Sequence, residues 1–109
     1  MAKLLVETDA SHKMMLNICA TTNFYCTIGK DITEISVSVQ YTPQGGKFID
    51  FDAFVEYMQE LKGRETTREL LTAEIWDYIN TQIEPDFLSV STKNISAKEY
   101  TAEVTVFGG

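Results

Sequence analysis

The chain reads as an α+β domain, an antiparallel sheet covered on one face by two helices in the order ββααββ. Three observations predict this. Apolar residues recur with period two near the N-terminus, around residue 38 and again near the C-terminus, the period of strands with one covered face. Between them, the apolar residues from Phe51 to Leu61 and from Leu71 to Ile79 switch to helical spacing. The 109 residues, 44% hydrophobic and 23% charged, match one globular domain with a core of its own.

Residues 1–12 are expected to form a tail or edge strand before a single domain over 13–109. In residues 13–21, Met14, Leu16, Ile18 and Ala20 fall on one side, and Lys13, Met15, Asn17, Cys19 and Thr21 on the other, which predicts the first strand. Residues 22–31, polar and containing Gly29, read as the connecting loop. Ile35, Val37, Val39 and Tyr41 alternate with Glu34, Ser36, Ser38 and Gln40 up to the turn signal Pro43-Gln44-Gly45-Gly46. A helix follows, with Asp50 as N-cap, Asp52 in the first turn, the stripe Phe51, Phe54, Val55, Met58 and Leu61, and Gly63 as its stop. The next helix carries Leu71, Ile75, Tyr78 and Ile79. Thr66-Thr67-Arg68-Glu69 reads as a capping box at its start, and Pro85 closes it. Leu88, Val90 and Thr92 make one late strand. Tyr100, Ala102, Val104 and Val106 make another, joined through residues 93–98. The expected sheet is four-stranded, and its open edges call for pairing or protection, as oligomerisation into a barrel would provide.

Composition excludes several classes. Nine basic against sixteen acidic residues leave a net charge of −7, which repels phosphate backbones and disfavours direct nucleic-acid binding. No apolar run approaches the roughly 20 residues that span a bilayer. The acids Glu7 and Asp9 interrupt the apolar start, so no secretory signal is expected and the reading is cytoplasmic, without membrane attachment. Two cysteines do not make a disulfide scaffold. The single histidine, His12, and the absence of a Cys-x-x-Cys pair argue against a zinc centre and a His-dependent triad.

Two residues carry the chemistry. Cys26 lies in the polar segment with Lys30 and Asp31. An accessible thiol there is a candidate nucleophile, since a nearby ammonium favours thiolates. The structural alternative is a buried small hydrophobe beside Phe24 and Tyr25. Cys19, within a strand, reads as structural. Glu69 either completes the capping box with Thr66 or accepts two N–H donors from a heterocycle with a guanine-like edge.

Cys26-Thr27-Ile28-Gly29, the strand 35–41 with Thr42-Pro43, residues 63–69 and Ile83-Glu84-Pro85-Asp86-Phe87-Leu88-Ser89-Val90 together resemble the 7-cyano-7-deazaguanine reductases (the QueF family) and their shorter amidine-forming relatives. The resemblance covers about residues 13–107, in the order of many weak matches. It implies the tunnelling fold (T-fold) and a small-molecule deazapurine as ligand, and the open sheet edges predict a homo-oligomer closing into a barrel with the pocket between neighbouring subunits. The resemblance places Cys26 at the nucleophile that forms a thioimide with the nitrile, and Glu69 at the residue holding the deazaguanine edge. The departures are specific. The family's catalytic Asp position is Thr33, with Asp31 and Glu34 as nearby carboxylates. The Pro after the nucleophile is Thr27, and the His before the glutamate is Arg68. The motif with two lysines that serves NADPH falls on Asp50-Phe51-Asp52-Ala53-Phe54-Val55, and acids there repel the cofactor's phosphates. The expectation is nitrile chemistry without a cofactor or metal, for instance amidine formation with ammonia. The alternatives are an NADPH-dependent reductase with an altered cofactor site, or a non-catalytic heterocycle-binding or structural oligomer.

Overall fold

The computed structural model describes residues 5–7, 14–95 and 101–109. The strands are β1 (Leu5–Glu7), β2 (Leu16–Cys26), β3 (Asp31–Thr42), β4 (Lys47–Ile49), β5 (Glu65–Thr66), β6 (Phe87–Asn94) and β7 (Glu103–Gly108), with helices α1 (Phe51–Leu61) and α2 (Arg68–Ile83). The main sheet is five-stranded in the order β5-β2-β3-β6-β7, and β1 pairs with β4 in a separate ribbon. All main-sheet pairings are antiparallel except the short parallel β2–β5 contact. The expected four-stranded antiparallel sheet is present, extended by that parallel strand. His12 and Tyr100 lie outside the described residues.

Alternation decides which face is covered. On β3, Ile35, Val37, Val39 and Tyr41 are buried while Glu34, Ser38 and Gln40 are exposed. On β6, Leu88, Val90, Thr92 and Asn94 are buried. Both helices lie over this face, and their buried residues complete a continuous core with Phe24. Thr72 Oγ1 bonds both the Arg68 carbonyl and Thr92 Oγ1 at 2.7 Å, so this buried pair of hydroxyls leaves no unmet polar group. Tyr57 of α1 and Tyr78 of α2 meet with ring centroids 4.3 Å apart, a tilted contact that joins the helices.

Three expectations are corrected. The first strand does not end at residue 21: β2 continues to Cys26, and only residues 27–30 form the loop. The polar look of Thr22, Asn23 and Thr27 conceals the fact that Thr22 and Phe24 keep the inward phase of Leu16, Ile18 and Ala20. Phe24 is buried in the core, and Thr22 Oγ1 donates to the Met58 carbonyl at 2.7 Å.

The stripe of α1 is rotated from the expected one. Ala53, Phe54, Tyr57, Met58 and Leu61 face the core, leaving Phe51 and Val55 exposed. Asp50 caps this helix as expected, its Oδ1 accepting from the Asp52 N–H at 3.1 Å.

The capping box at α2 does not form. Thr66 is extended in β5, its carbonyl accepting from the Thr27 N–H at 3.0 Å. The N-cap is Thr67, whose Oγ1 accepts from the Leu70 N–H at 3.3 Å. Glu69 therefore stands one residue too early to reach back in a box.

Candidate functional site

The inward face of the sheet runs past the end of the helices, and there it stops being apolar. Continuing the inward phase of β2 beyond Phe24 reaches Cys26. Continuing that of β3 back from Ile35 reaches Thr33 and Asp31, and continuing that of β6 beyond Thr92 reaches Asn94. These residues, with Gly29, line a cleft of about 450 Å³ closed on its other side by Thr67, Arg68 and Glu69 at the start of α2. The volume falls in the range that accepts a small heterocycle. All five residues singled out from the sequence, Cys26, Asp31, Thr33, Arg68 and Glu69, lie in this one cleft. Glu34 does not line it, because its odd step along β3 turns it to the exposed side.

A tight hairpin brings the thiol and a carboxylate together. Cys26 and Asp31 are directly opposed across β2 and β3. The Lys30 N–H closes the loop on the Cys26 carbonyl at 2.7 Å, with Lys30 in the left-handed region at φ 57°. The Gly29 N–H points at Cys26 Sγ, 3.4 Å away, a weak donor–sulfur contact. Cys26 is half-buried and packs against the edge of the core, so it combines the two roles weighed for it. Thr33 stands opposite Phe24, one pleat further from the loop.

At the start of α2 the Glu69 carboxylate is exposed, with no hydrogen bond or ion pair among the described residues. In the first turn its negative charge is favoured by the helix dipole. Arg68 Nε is buried with no hydrogen-bond partner among those residues. An unmet buried donor costs about 1–3 kcal/mol, which a ligand acceptor in the cleft would relieve. The cleft thus offers one cationic donor beside two carboxylates.

Asn94 was missed in the sequence. It is buried, and its Oδ1 accepts from the Ala102 N–H at 2.8 Å, fixing the end of β6 beside the cleft. The signal available was its phase, two residues beyond Thr92. Cys19 is exposed on the uncovered face. Hydrogen bonds from Ser36 and Ser38 hold its thiol below the ordinary range, against a smaller upward push from burial. It lies away from the cleft. Among the described residues no group of three or more His, Cys, Asp or Glu could hold a metal ion, and no helix is long and apolar enough to cross a membrane.

An α+β sheet of this order, with two helices on one face and a polar cleft at the sheet's end, is the tunnelling fold. A crystal structure of the archaeosine synthase QueF-Like in the apo form superposes with a TM-score of 0.79 at 22% identity, covering 87% of this chain and 93% of that one. An archaeosine synthase from Pyrobaculum calidifontis is 26% identical over 69 residues, 63% of this chain. The aligned stretch spans 62% of that relative's length. No family model matches the chain. The QueF-like resemblance read from the sequence recurs in the solved structure, and both relatives are archaeosine synthases.

Proposed function

We propose that this chain is a QueF-like nitrile-processing enzyme acting on 7-cyano-7-deazaguanine. The observation that carries the reading is the convergence of Cys26, Asp31, Arg68 and Glu69 on one heterocycle-sized cleft. The likeness to archaeosine synthases supports it. Glu69 accepts the N–H donors of the deazaguanine edge, and Arg68 donates to an acceptor on the same ring.

In the reaction we assign, Cys26 sulfur attacks the nitrile carbon, and one π bond of the C≡N group breaks as the S–C bond forms. The nitrogen takes the proton that the Cys26 thiol gives up, for which Asp31 is placed as relay, giving a covalent thioimide. Ammonia then adds to the same carbon, the C–S bond breaks, and the amidine leaves with the thiol restored. The free base is the favoured substrate, because the net charge of −7 disfavours a polynucleotide.

The ligand pocket is completed by a second copy of the chain. Among the described residues β2 has a partner on its outer side only at Tyr25 and Cys26, and β7 has none on its outer side. Met15, Phe51 and Val55 are exposed on β2's flank and on α1, as is Phe107 on β7. Joining such edges in a ring would cover them.

Incubation with 7-cyano-7-deazaguanine, followed by intact-mass measurement, tests the reading. One base mass per chain is expected on the wild type and on Cys19→Ala, and none on Cys26→Ala. Binding without an adduct on wild type would instead support the non-catalytic binding module, a reading that Thr33 at the family's acid position also favours. The reductase alternative is tested by calorimetry with NADPH. The positions matching the family's lysines lie on the first turns of α1 beside residues 17–20 of β2, roughly 20 Å along that strand from Cys26. Asp52 there disfavours the cofactor's phosphates, so binding weaker than micromolar is expected.

A further inference from the structure

We propose that Gly29 is a positioning residue, whose missing side chain keeps open the gap between thiol and carboxylate in which the nitrile is activated. This rests on the function proposed above. Gly29 is absent from the residues with left-handed backbone, unlike Gly45 and Gly63, so conformation does not demand glycine there. Space does. A Cβ at this position would stand 3.1 Å from Asp31 Oδ1 and 3.7 Å from Cys26 Sγ. The same point is thus close to both reacting groups. It is the region that the nitrile carbon must enter to meet sulfur and that the nitrogen must occupy to receive the thiol's proton by way of Asp31. A methyl group there crowds the carboxylate and fills the gap, while the Gly29 N–H that faces Sγ at 3.4 Å is retained. The side chain's absence therefore serves the bond-forming step and not the binding of the ring, which Glu69 and Arg68 of the same cleft hold.

The test uses Gly29→Ala, with Gly29→Ser as the larger step. Three quantities are measured: melting temperature, affinity for 7-deazaguanine (which lacks the nitrile), and the rate of adduct formation with 7-cyano-7-deazaguanine. Melting temperature and affinity are expected to stay at wild-type values. Adduct formation is expected to slow about tenfold or more, and further in Gly29→Ser, as misplacement of reacting groups by a fraction of a bond length does. Wild-type adduct rates in both variants overturn the positioning role. So does a loss of fold or of ring affinity that accounts for the slowing, since that marks a structural residue. If wild type itself forms no adduct, the proposed function fails separately, and Gly29 is then judged by iodoacetamide alkylation. Cys26 in Gly29→Ala should react several-fold more slowly relative to Cys19, which serves as the reference within the same molecule. An unchanged ratio overturns the inference.

Discussion

Cys26 and Asp31 are cross-strand partners at the closed end of the β2–β3 hairpin, both in the inward phase of their strands. The family's acid position, Thr33, is two residues further along β3. A shift of two leaves a side chain on the same face of a strand, whereas a shift of one turns it away. A carboxylate at 31 therefore still serves the cleft, and one at 34 does not. Asp31→Asn is expected to slow adduct formation by about 100-fold or more, the scale of a lost general acid, with Thr33→Ala and Glu34→Gln close to wild type. Single-turnover mass measurements decide it, and a fast Asp31→Asn variant with a slow Thr33→Ala would move the proton donor elsewhere.

Glu69 and Thr67 separate binding from capping. With Thr67 as the N-cap, Thr67→Ala should lower stability by about 1 kcal/mol. Glu69→Ala should leave urea unfolding nearly unchanged and weaken ligand capture by about 1.5–3 kcal/mol, the worth of a hydrogen bond to a charged group. Calorimetry paired with unfolding curves checks both, and equal stability losses in the two variants would return Glu69 to a structural role.

Assembly is the third expectation. A ring of copies should appear in light scattering at micromolar concentration. Phe107→Glu on the β7 edge, where the side chain is 71% exposed, should shift it toward monomer. A wild-type monomer would remove the proposal that neighbours complete the pocket.

Alkaline pH should loosen the helix pair. Burial, only partly opposed by Arg64, pushes the Tyr57 hydroxyl up to about 12 from its ordinary 10. The folded state thus holds this proton more tightly than the unfolded chain does. Its contribution is fully present below pH 10 and is lost as pH rises from 10 toward 12, up to about 2 kcal/mol. Burial also raises Tyr41 and Tyr78, so the decline should be steeper than for one group. Tyr57→Phe should flatten the part due to that residue, as followed by urea unfolding between pH 8 and pH 11.

The sequence by itself determined the order of the four long strands and the two helices (though not the short strands β4 and β5), the covered face of β3 and β6, and the cap at Asp50. Each of these depends on neighbours a few residues away, and period two or a single side chain expresses it. The candidates Cys26, Asp31 and Thr33 come from the resemblance of short motifs and not from alternation, because the polar stretch 22–31 hides the phase that links Ala20 to Cys26. Only the tertiary structure decided where β2 ends: Thr22 and Phe24 look like loop residues until the Met58 carbonyl and the core meet them. It decided the rotation of α1, because burying Ala53 and Tyr57 rather than Phe51 and Val55 depends on how the helix meets the sheet and α2. It moved the cap of α2 to Thr67, because pairing with the end of β2 holds Thr66 extended. That pairing spans some forty positions from Cys26 to Thr66. It brings the start of α2 against the hairpin, so that Glu69 and Arg68 face the thiol through contacts that no local pattern encodes.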